Sequence, residues 1–330
     1  MSFMEKNPLV APVLKWVGGK RQLLPALAAL MPGDVACYCE PFVGGGALLF
    51  NCQPSVARIN DINAELITIY PVIREDVEAL ITELSRHGNE AKQFYAVRDW
   101  DRNRDAYSGL SPVQRAARIL YLNKTCYNGL YRVNAAGEFN TPYGRYKNPN
   151  IVNAGGLRAV SAYFNTADIR FSCLDYAAVL DDLPDNAFVY LDLPYDPVSD
   201  TANFSGYAQG GFDRKAQIRL RDCCDALNRR GIRFMLSNSA TDFIRELYAR
   251  YAIITVRAKR AINAVSSGRG AVDEVIVRNY ERKPSAVHSR GVGASLSSGK
   301  RGNLGDRDPK GLCPPASHTG SRATMYFLGT

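Results

Sequence analysis

Short apolar runs alternate with longer amphipathic segments from residue 35 to residue 280, and this rhythm restricts the fold more than any other feature. Residues 35–39 read as a buried strand ending at Glu40, and 56–60 as a second strand ending at Asp61. Further strands are predicted at 168–173, 187–191, 232–237, 251–257 and 272–280. Helical patterns cover 63–84, with Pro71 as a kink, and 213–228, closed by Gly231. Strand–helix alternation predicts an α/β fold, a mostly parallel sheet covered by helices on both faces. Residues 86–149 break the rhythm. They open with helical pieces and turn Gly/Asn-rich after Asn128, which predicts an inserted module between two parts of one sheet domain, 1–85 and 150–280. Residues 281–330 hold 8 Gly, 7 Ser and 4 Pro without apolar periodicity, and are expected to be a disordered basic tail.

Composition narrows the function classes. With 330 residues, 46% of them apolar, the chain can bury a sizeable core. No run of about 20 apolar residues exists, which argues against a membrane span. Residues 1–12 lack a signal-peptide pattern, so a cytoplasmic protein is expected. The 8 cysteines are scattered without a C-x-x-C pair and only 3 His occur, which speaks against a metal site or a disulfide framework. The net charge of +9 is uneven: residues 86–147 carry 11 basic and 5 acidic residues, and the tail carries 8 and 3. Tyr121, Tyr127, Tyr131, Phe139, Tyr143 and Tyr146 interleave with the charges of the inserted segment. Cations mixed with flat rings suit a nucleic acid.

Three turns carry candidate chemistry. Asp192-Leu193-Pro194-Tyr195 directly follows the apolar run 187–191, placing a carboxylate, a stiffened turn and a ring at the mouth of a sheet. A carboxylate and a backbone carbonyl can accept the two N–H groups of an exocyclic amine, and Tyr195 can cover the face of the base. Glu40-Pro41-Phe42-Val43-Gly44-Gly45-Gly46 joins a strand to a helix, so backbone can approach a ligand closely. Leu49 stands where a dinucleotide fingerprint needs its third glycine, and no Gly-Lys-Ser/Thr follows for a P-loop. Asp61, about twenty residues on, can accept from a ribose diol. An adenosine-like ligand without obligatory phosphate fits, and S-adenosylmethionine is one. Lys15-Trp16-Val17-Gly18-Gly19-Lys20 is a further Gly turn between cations, readable either as a loop over the cofactor or as a plain loop before a helix.

These segments, in this order, resemble the Dam family of DNA adenine-N6 methyltransferases. The matching motifs are Lys15 to Lys20, Glu40 to Gly46, Asp61-Ile62-Asn63, and Asp192 to Tyr195 followed by Thr201 to Tyr207. The inserted segment matches through Leu120 to Lys124, Tyr127 to Arg132, and Gly137 to Tyr146, which is similar to the family's target-recognition hairpin. The resemblance spans about residues 10–280. It implies a Rossmann-like methyltransferase sheet with an inserted target-recognition module at 86–149. It implies S-adenosyl-L-methionine as cofactor, duplex DNA as partner, and methyl transfer to N6 of a flipped adenine, with GATC as target. A monomer in a bacterial or phage-infected cell is expected. The implied catalytic residues are Asp192, Leu193, Pro194 and Tyr195. Trp16, Lys20, Glu40, Pro41, Phe42, Gly44, Asp61, Asp175 and Asp192 would hold the cofactor, although Asp175 reads equally well as a helix cap. For DNA, Arg132 would read a guanine edge, with Lys15, Tyr127, Leu130 and Pro142 at recognition positions and Lys124, Asn128, Arg145 and Lys147 on the backbone. One position departs. The family usually reads Asp-Pro-Pro-Tyr, and Leu193 here lacks the fixed φ of proline, so a less rigid turn is expected. Cytosine-N4 methylation and a catalytically silent DNA-binding member remain alternatives at this point.

Overall fold

The central sheet draws its strands from both sides of the inserted segment. A computed structural model describes residues 6–16, 18, 23–196, 212–259 and 271–281, all within one compact unit. Its strands are β1 (Cys37–Glu40), β2 (Val56–Asn60), β3 (Asp168–Ser172), β4 (Ala187–Leu191), β5 (Arg233–Ser239), β6 (Ala252–Lys259) and β7 (Ala271–Arg278). They form one 7-stranded sheet in the order β3-β2-β1-β4-β5-β7-β6. The first five in chain order are parallel, and β7 runs antiparallel between β5 and β6. The strand order reverses between β1 and β4, where Tyr38 lies opposite Phe188. In a doubly wound sheet, that reversal opens a crevice above the carboxyl ends of the strands, and ligands bind there. The fold is the mixed α/β, Rossmann-like architecture expected of the alternating pattern.

Helices follow in chain order. α1 (Leu24–Leu30) and α2 (Ala47–Cys52) flank β1. α3 (Ala64–Ile67), α4 (Ile69–Glu75) and α5 (Val77–Ser85) replace the single kinked helix expected at 63–84. The first break falls at Thr68, between α3 and α4 and three residues before Pro71, whose missing N–H cannot bond back to Ile67. The second falls at Asp76, whose φ of −131° leaves helical space. The inserted segment supplies α6 (Ala91–Arg98), α7 (Arg104–Ser108) and α8 (Pro112–Thr125). α8 begins with a reciprocal capping box between Ser111 and Gln114. α9 (Ala154–Thr166), α10 (Tyr176–Asp181), α11 (Arg214–Arg229) and α12 (Asp242–Leu247) complete the fold.

Alternate residues of the central strands enter two cores. Tyr38 of β1 and Phe188 and Tyr190 of β4 pack on one face beside Leu66, Tyr70 and Leu120. Cys39, Val189 and Leu191 pack on the other beside Leu220 and Leu227 of α11. Both faces of β4 are buried along its whole length, which explains its unbroken apolar run.

Candidate active site

At the rim of the sheet, β1 ends in Glu40 and the chain enters a left-handed turn, with φ of +49° at Gly44 and +67° at Gly46. A side chain there is strained. It would also collide, since a Cβ on Gly44 would stand 2.8 Å from Trp16 Cδ1. Trp16 therefore packs closely against this turn. Its ring also stacks on Tyr131, with centroids 4.9 Å apart, so the N-terminal segment, the Gly turn and the inserted segment meet at one indole.

The turn is tied to its neighbours by polar groups. The Gly44 N–H donates to Asp61 Oδ2 at 3.0 Å, and the Asn63 N–H donates to Asp61 Oδ1 at 3.0 Å. Burial pushes the Asp61 carboxyl up, while these two N–H groups pull it back toward the ionised form. Tyr70 Oη donates to the Gly44 carbonyl at 2.6 Å. Asn60, at the end of β2, donates to the carbonyls of Pro41 and Leu174 and accepts from the Leu174 N–H. One amide thus joins the turns after β1 and β3. Pro41 is buried, and Phe42 is partly exposed against Tyr176, with ring centroids 5.1 Å apart. Glu40 is 2% exposed and accepts from Tyr38 Oη at 2.8 Å. Burial pushes its carboxyl well above the usual range, and the nearby Asp192 charge raises it further. Asp175 caps α10 through the Ala177 N–H and also takes both arms of Arg219, at 2.7 and 2.9 Å. That fork holds its carboxyl below the usual range. Lys20 lies outside the described residues, as do Thr201 to Tyr207 and the tail from residue 282.

β4 delivers Asp192 to the same rim, beside the reversal point. Ser237 of β5 donates to Asp192 Oδ1 at 3.2 Å and shares a bond of 3.1 Å with Tyr190 Oη. Leu193 is buried against the α11 side of the sheet. Burying such a side chain contributes about 1.5–3 kcal/mol. Pro194 is exposed, and its carbonyl accepts from Gln217 Nε2 at 3.1 Å. Tyr195 is half-buried, and its hydroxyl donates to Glu274 of β7 at 2.8 Å.

The hairpin residues stand on the inserted segment. Tyr127 and Gly129 bracket a short 3-10 turn in which Asn128 is left-handed, with φ of +56°. Asn123 of α8 accepts from the Lys15 N–H and donates to the Lys15 and Gly129 carbonyls, binding the N-terminal segment to this turn. Antiparallel bridges join Val133 to Phe139 and Cys126 to Tyr143. Arg132 is exposed and donates through Nε to Asn140 Oδ1 at 2.7 Å, across the hairpin. The Leu130 carbonyl accepts from Thr141 Oγ1. Tyr127, Pro142, Arg145 and Lys147 are exposed, while Lys124, Asn128 and Leu130 are partly buried. The hairpin is propped from below. The Phe139 N–H donates to Asp101, whose carboxylate pairs with the buried Arg118 at 2.7 Å.

Comparison with known proteins decides the family. Residues 16–262 match the D12 class of N6 adenine-specific DNA methyltransferases. The chain belongs to that family. The methyltransferase is 43% identical over 283 residues to the type II methyltransferase M1.LlaDCHI of Lactococcus lactis subsp. cremoris, covering 85% of this chain and 99% of that one. It is 41% identical over 291 residues to the type II methyltransferase M.MjaIII of Methanocaldococcus jannaschii, covering 82% and 99%. It is 35% identical over 278 residues to the DNA adenine methylase of Escherichia coli K12, covering 83% and 95%. The methyltransferase is thus an adenine-specific enzyme whose substrate is DNA. Among the described residues no helix is long and apolar enough to cross a membrane.

Several residues of the rim were not singled out by sequence reasoning. Asn60 and Tyr70 act through turns far from them in the chain, as does Asn123, whose place in the motif 120–124 gave no sign of its bonds to Lys15. Ser237 and Asn238 close β5 together with Ser239, and all three are buried. Three consecutive buried polar residues at the end of an apolar strand are the signal that could have found them.

Proposed function

We propose that this methyltransferase transfers a methyl group from S-adenosyl-L-methionine to N6 of an adenine extruded from duplex DNA, within GATC. The observation that carries the proposal is the convergence of Glu40, Asp61 and Asp192 at three adjacent strand ends, on either side of the point where the strand order reverses. The donor set suits the cofactor. Asp61 keeps a lone pair on each oxygen beyond its two backbone bonds, enough for a ribose diol. Gly44, Pro41, Phe42 and Trp16 frame the same turn, and Lys20, Glu40, Asp175 and Asp192 complete the proposed cofactor set. When bound, the cofactor supplies a methyl group on a positively charged sulfur.

Asp192 and the Leu193 carbonyl each accept one N6–H of the adenine. That makes the nitrogen more tetrahedral and offsets the positive charge that develops on it. Ser237 holds one Asp192 oxygen in place, which fixes the direction of the other. Tyr195 stacks on the extruded base while Glu274 anchors its hydroxyl. Pro194 stiffens the turn. No covalent enzyme intermediate is needed.

Residues 86–149 serve as the DNA target-recognition module, between the catalytic parts 1–85 and 150–280. Arg132 reads a guanine edge, and Lys15, Tyr127, Leu130 and Pro142 flank it. Lys124, Asn128, Arg145 and Lys147 grip the backbone. The likeness of Tyr127 to Tyr146 to the family hairpin supports GATC. The enzyme acts as a monomer in the cytoplasm, where genomic DNA and the cofactor occur together. Plasmid DNA from methylation-deficient cells expressing the chain tests the target. It should resist a nuclease blocked by N6-methyl-GATC, and full cleavage would overturn the GATC assignment.

A further inference from the structure

The turn that carries Asp192 lacks the proline usual at the position of Leu193, yet it is gripped by a chain of buried polar groups. Gln217 of α11 is fully buried and donates through Nε2 to the Pro194 carbonyl at 3.1 Å. Its Oε1 accepts from Asn238 Nδ2 at 3.1 Å. Asn238, also fully buried, accepts the Asp196 N–H at 3.0 Å on Oδ1. Ser239 Oγ donates to the Asp196 carbonyl at 2.6 Å, and Thr241 Oγ1 donates to Asp196 Oδ2 at 2.7 Å. The backbone is therefore clamped at Pro194 and at Asp196, on the two sides of Tyr195 and directly after Leu193. Buried amides in such a chain hold their partners closely, because leaving either side unpaired is costly.

We propose that Gln217 and Asn238 are positioning residues that fix the Leu193 carbonyl and Asp192 by hydrogen bonding, replacing the conformational restriction that a proline at 193 would supply. Leucine at 193 then adds buried apolar surface on the α11 side while its carbonyl stays aimed. The inference rests on the proposed roles of Asp192 and the Leu193 carbonyl toward the adenine amine. Neither Gln217 nor Asn238 touches a substrate in this scheme. They act through the turn.

The test is single-turnover methyl transfer from labelled S-adenosylmethionine to an adenine-containing duplex, measured with binding of both substrates. The proteins compared are the parent, Gln217→Met, Leu193→Pro and the double variant. Gln217→Met is expected to slow transfer about 10- to 100-fold, the usual result of a small misplacement of reacting groups, with little change in either affinity. Leu193→Pro should restore most of that loss in the double variant, because the ring supplies what the amide no longer does. A slowing of equal size with and without Leu193→Pro would overturn the proposal, as would an unchanged rate in Gln217→Met. Should Gln217→Met not fold, Ser239→Ala takes its place: it removes one bond to the Asp196 carbonyl and little volume, with the same expected slowing and rescue. A parent that methylates no adenine overturns the functional reading and this inference together. An active parent whose rate ignores Gln217 and Ser239 overturns this inference alone.

Discussion

The two turns that meet at the centre of the sheet are built differently. The turn after β1 carries part of its shape in its own residues, since Gly44 and Gly46 adopt backbone angles that other residues resist, and Asp61, Tyr70 and Asn60 tie it down from outside. The turn after β4 has one proline and a leucine, and it is shaped from outside. Its clamps come from Gln217 and Asn238, 23 and 42 residues away in the chain from the groups they bind. A turn with glycines at its left-handed positions narrows its own choice of form before its outer bonds are made. A turn held by remote amides has its form only once α11 and β5 are in place. The proposed division of labour follows the same line, with cofactor binding at the first turn and chemistry at the second.

The largest effect should come from the second turn. Asp192→Ala is expected to lower the methyl-transfer rate about 10³-fold, a larger loss than the accompanying fall in cofactor affinity, measured by calorimetry. A matched loss of both would merge the two turns into one unit. Gly44→Ala probes the first turn. It combines left-handed strain with a contact of 2.8 Å to Trp16. A stability loss of roughly 2–4 kcal/mol is expected from strain and overpacking together, read by denaturant unfolding and accompanied by weaker cofactor binding. Unchanged unfolding would mean that the glycines are not what shapes this turn.

Arg132→Ala lies outside both turns and should spare them. Discrimination at one base pair is expected to relax by about 1–3 kcal/mol, measured as methylation of single-substituted sites, with the rate on the best site nearly kept. An intact sequence preference would remove Arg132 from the reading set. The smallest effect is a pH dependence at Glu40. Burial raises its folded-state pKa above the ordinary 4.5, so the folded chain favours the protonated acid. Stability from this group is then fully present below about pH 4.5 and falls as pH rises toward the folded value. Glu40→Gln removes that fall. The variant should gain thermal stability over the parent at pH 8 and lose the advantage at pH 4. A difference independent of pH would contradict the assignment.

The sheet was legible in the sequence because β4 is an unbroken apolar run, β1 is nearly so and β2 alternates around Ala57 and Ile59, each closing on an acidic residue, Asp192, Glu40 or Asp61. The motif residues were legible for the same reason, since each sits beside a strand end. The three helices at 64–85 were legible only in part: Pro71 pointed to the break at Thr68, three residues before it, and no local signal marked the second break at Asp76. Asn60, Gln217 and Asn238 were also hidden. An isolated Asn or Gln in a chain carries no sign of which carbonyl it will reach, and only the assembled sheet brings Gln217 to Pro194. Asp175 shows both sides at once, since its capping of α10 was readable from Asp175-Tyr176-Ala177, and its pairing with Arg219 was not.

Nucleoside analysis of a duplex incubated with S-adenosylmethionine labelled in the methyl group tests the central claim most directly, run for the parent and for Asp192→Ala. Label in N6-methyladenine with the parent, and almost none with Asp192→Ala, is the expected result. Equal adenine labelling by both proteins would show that the carboxylate at the end of β4 does not hold the reacting amine, and label in a cytosine product would show that the amine is not adenine's.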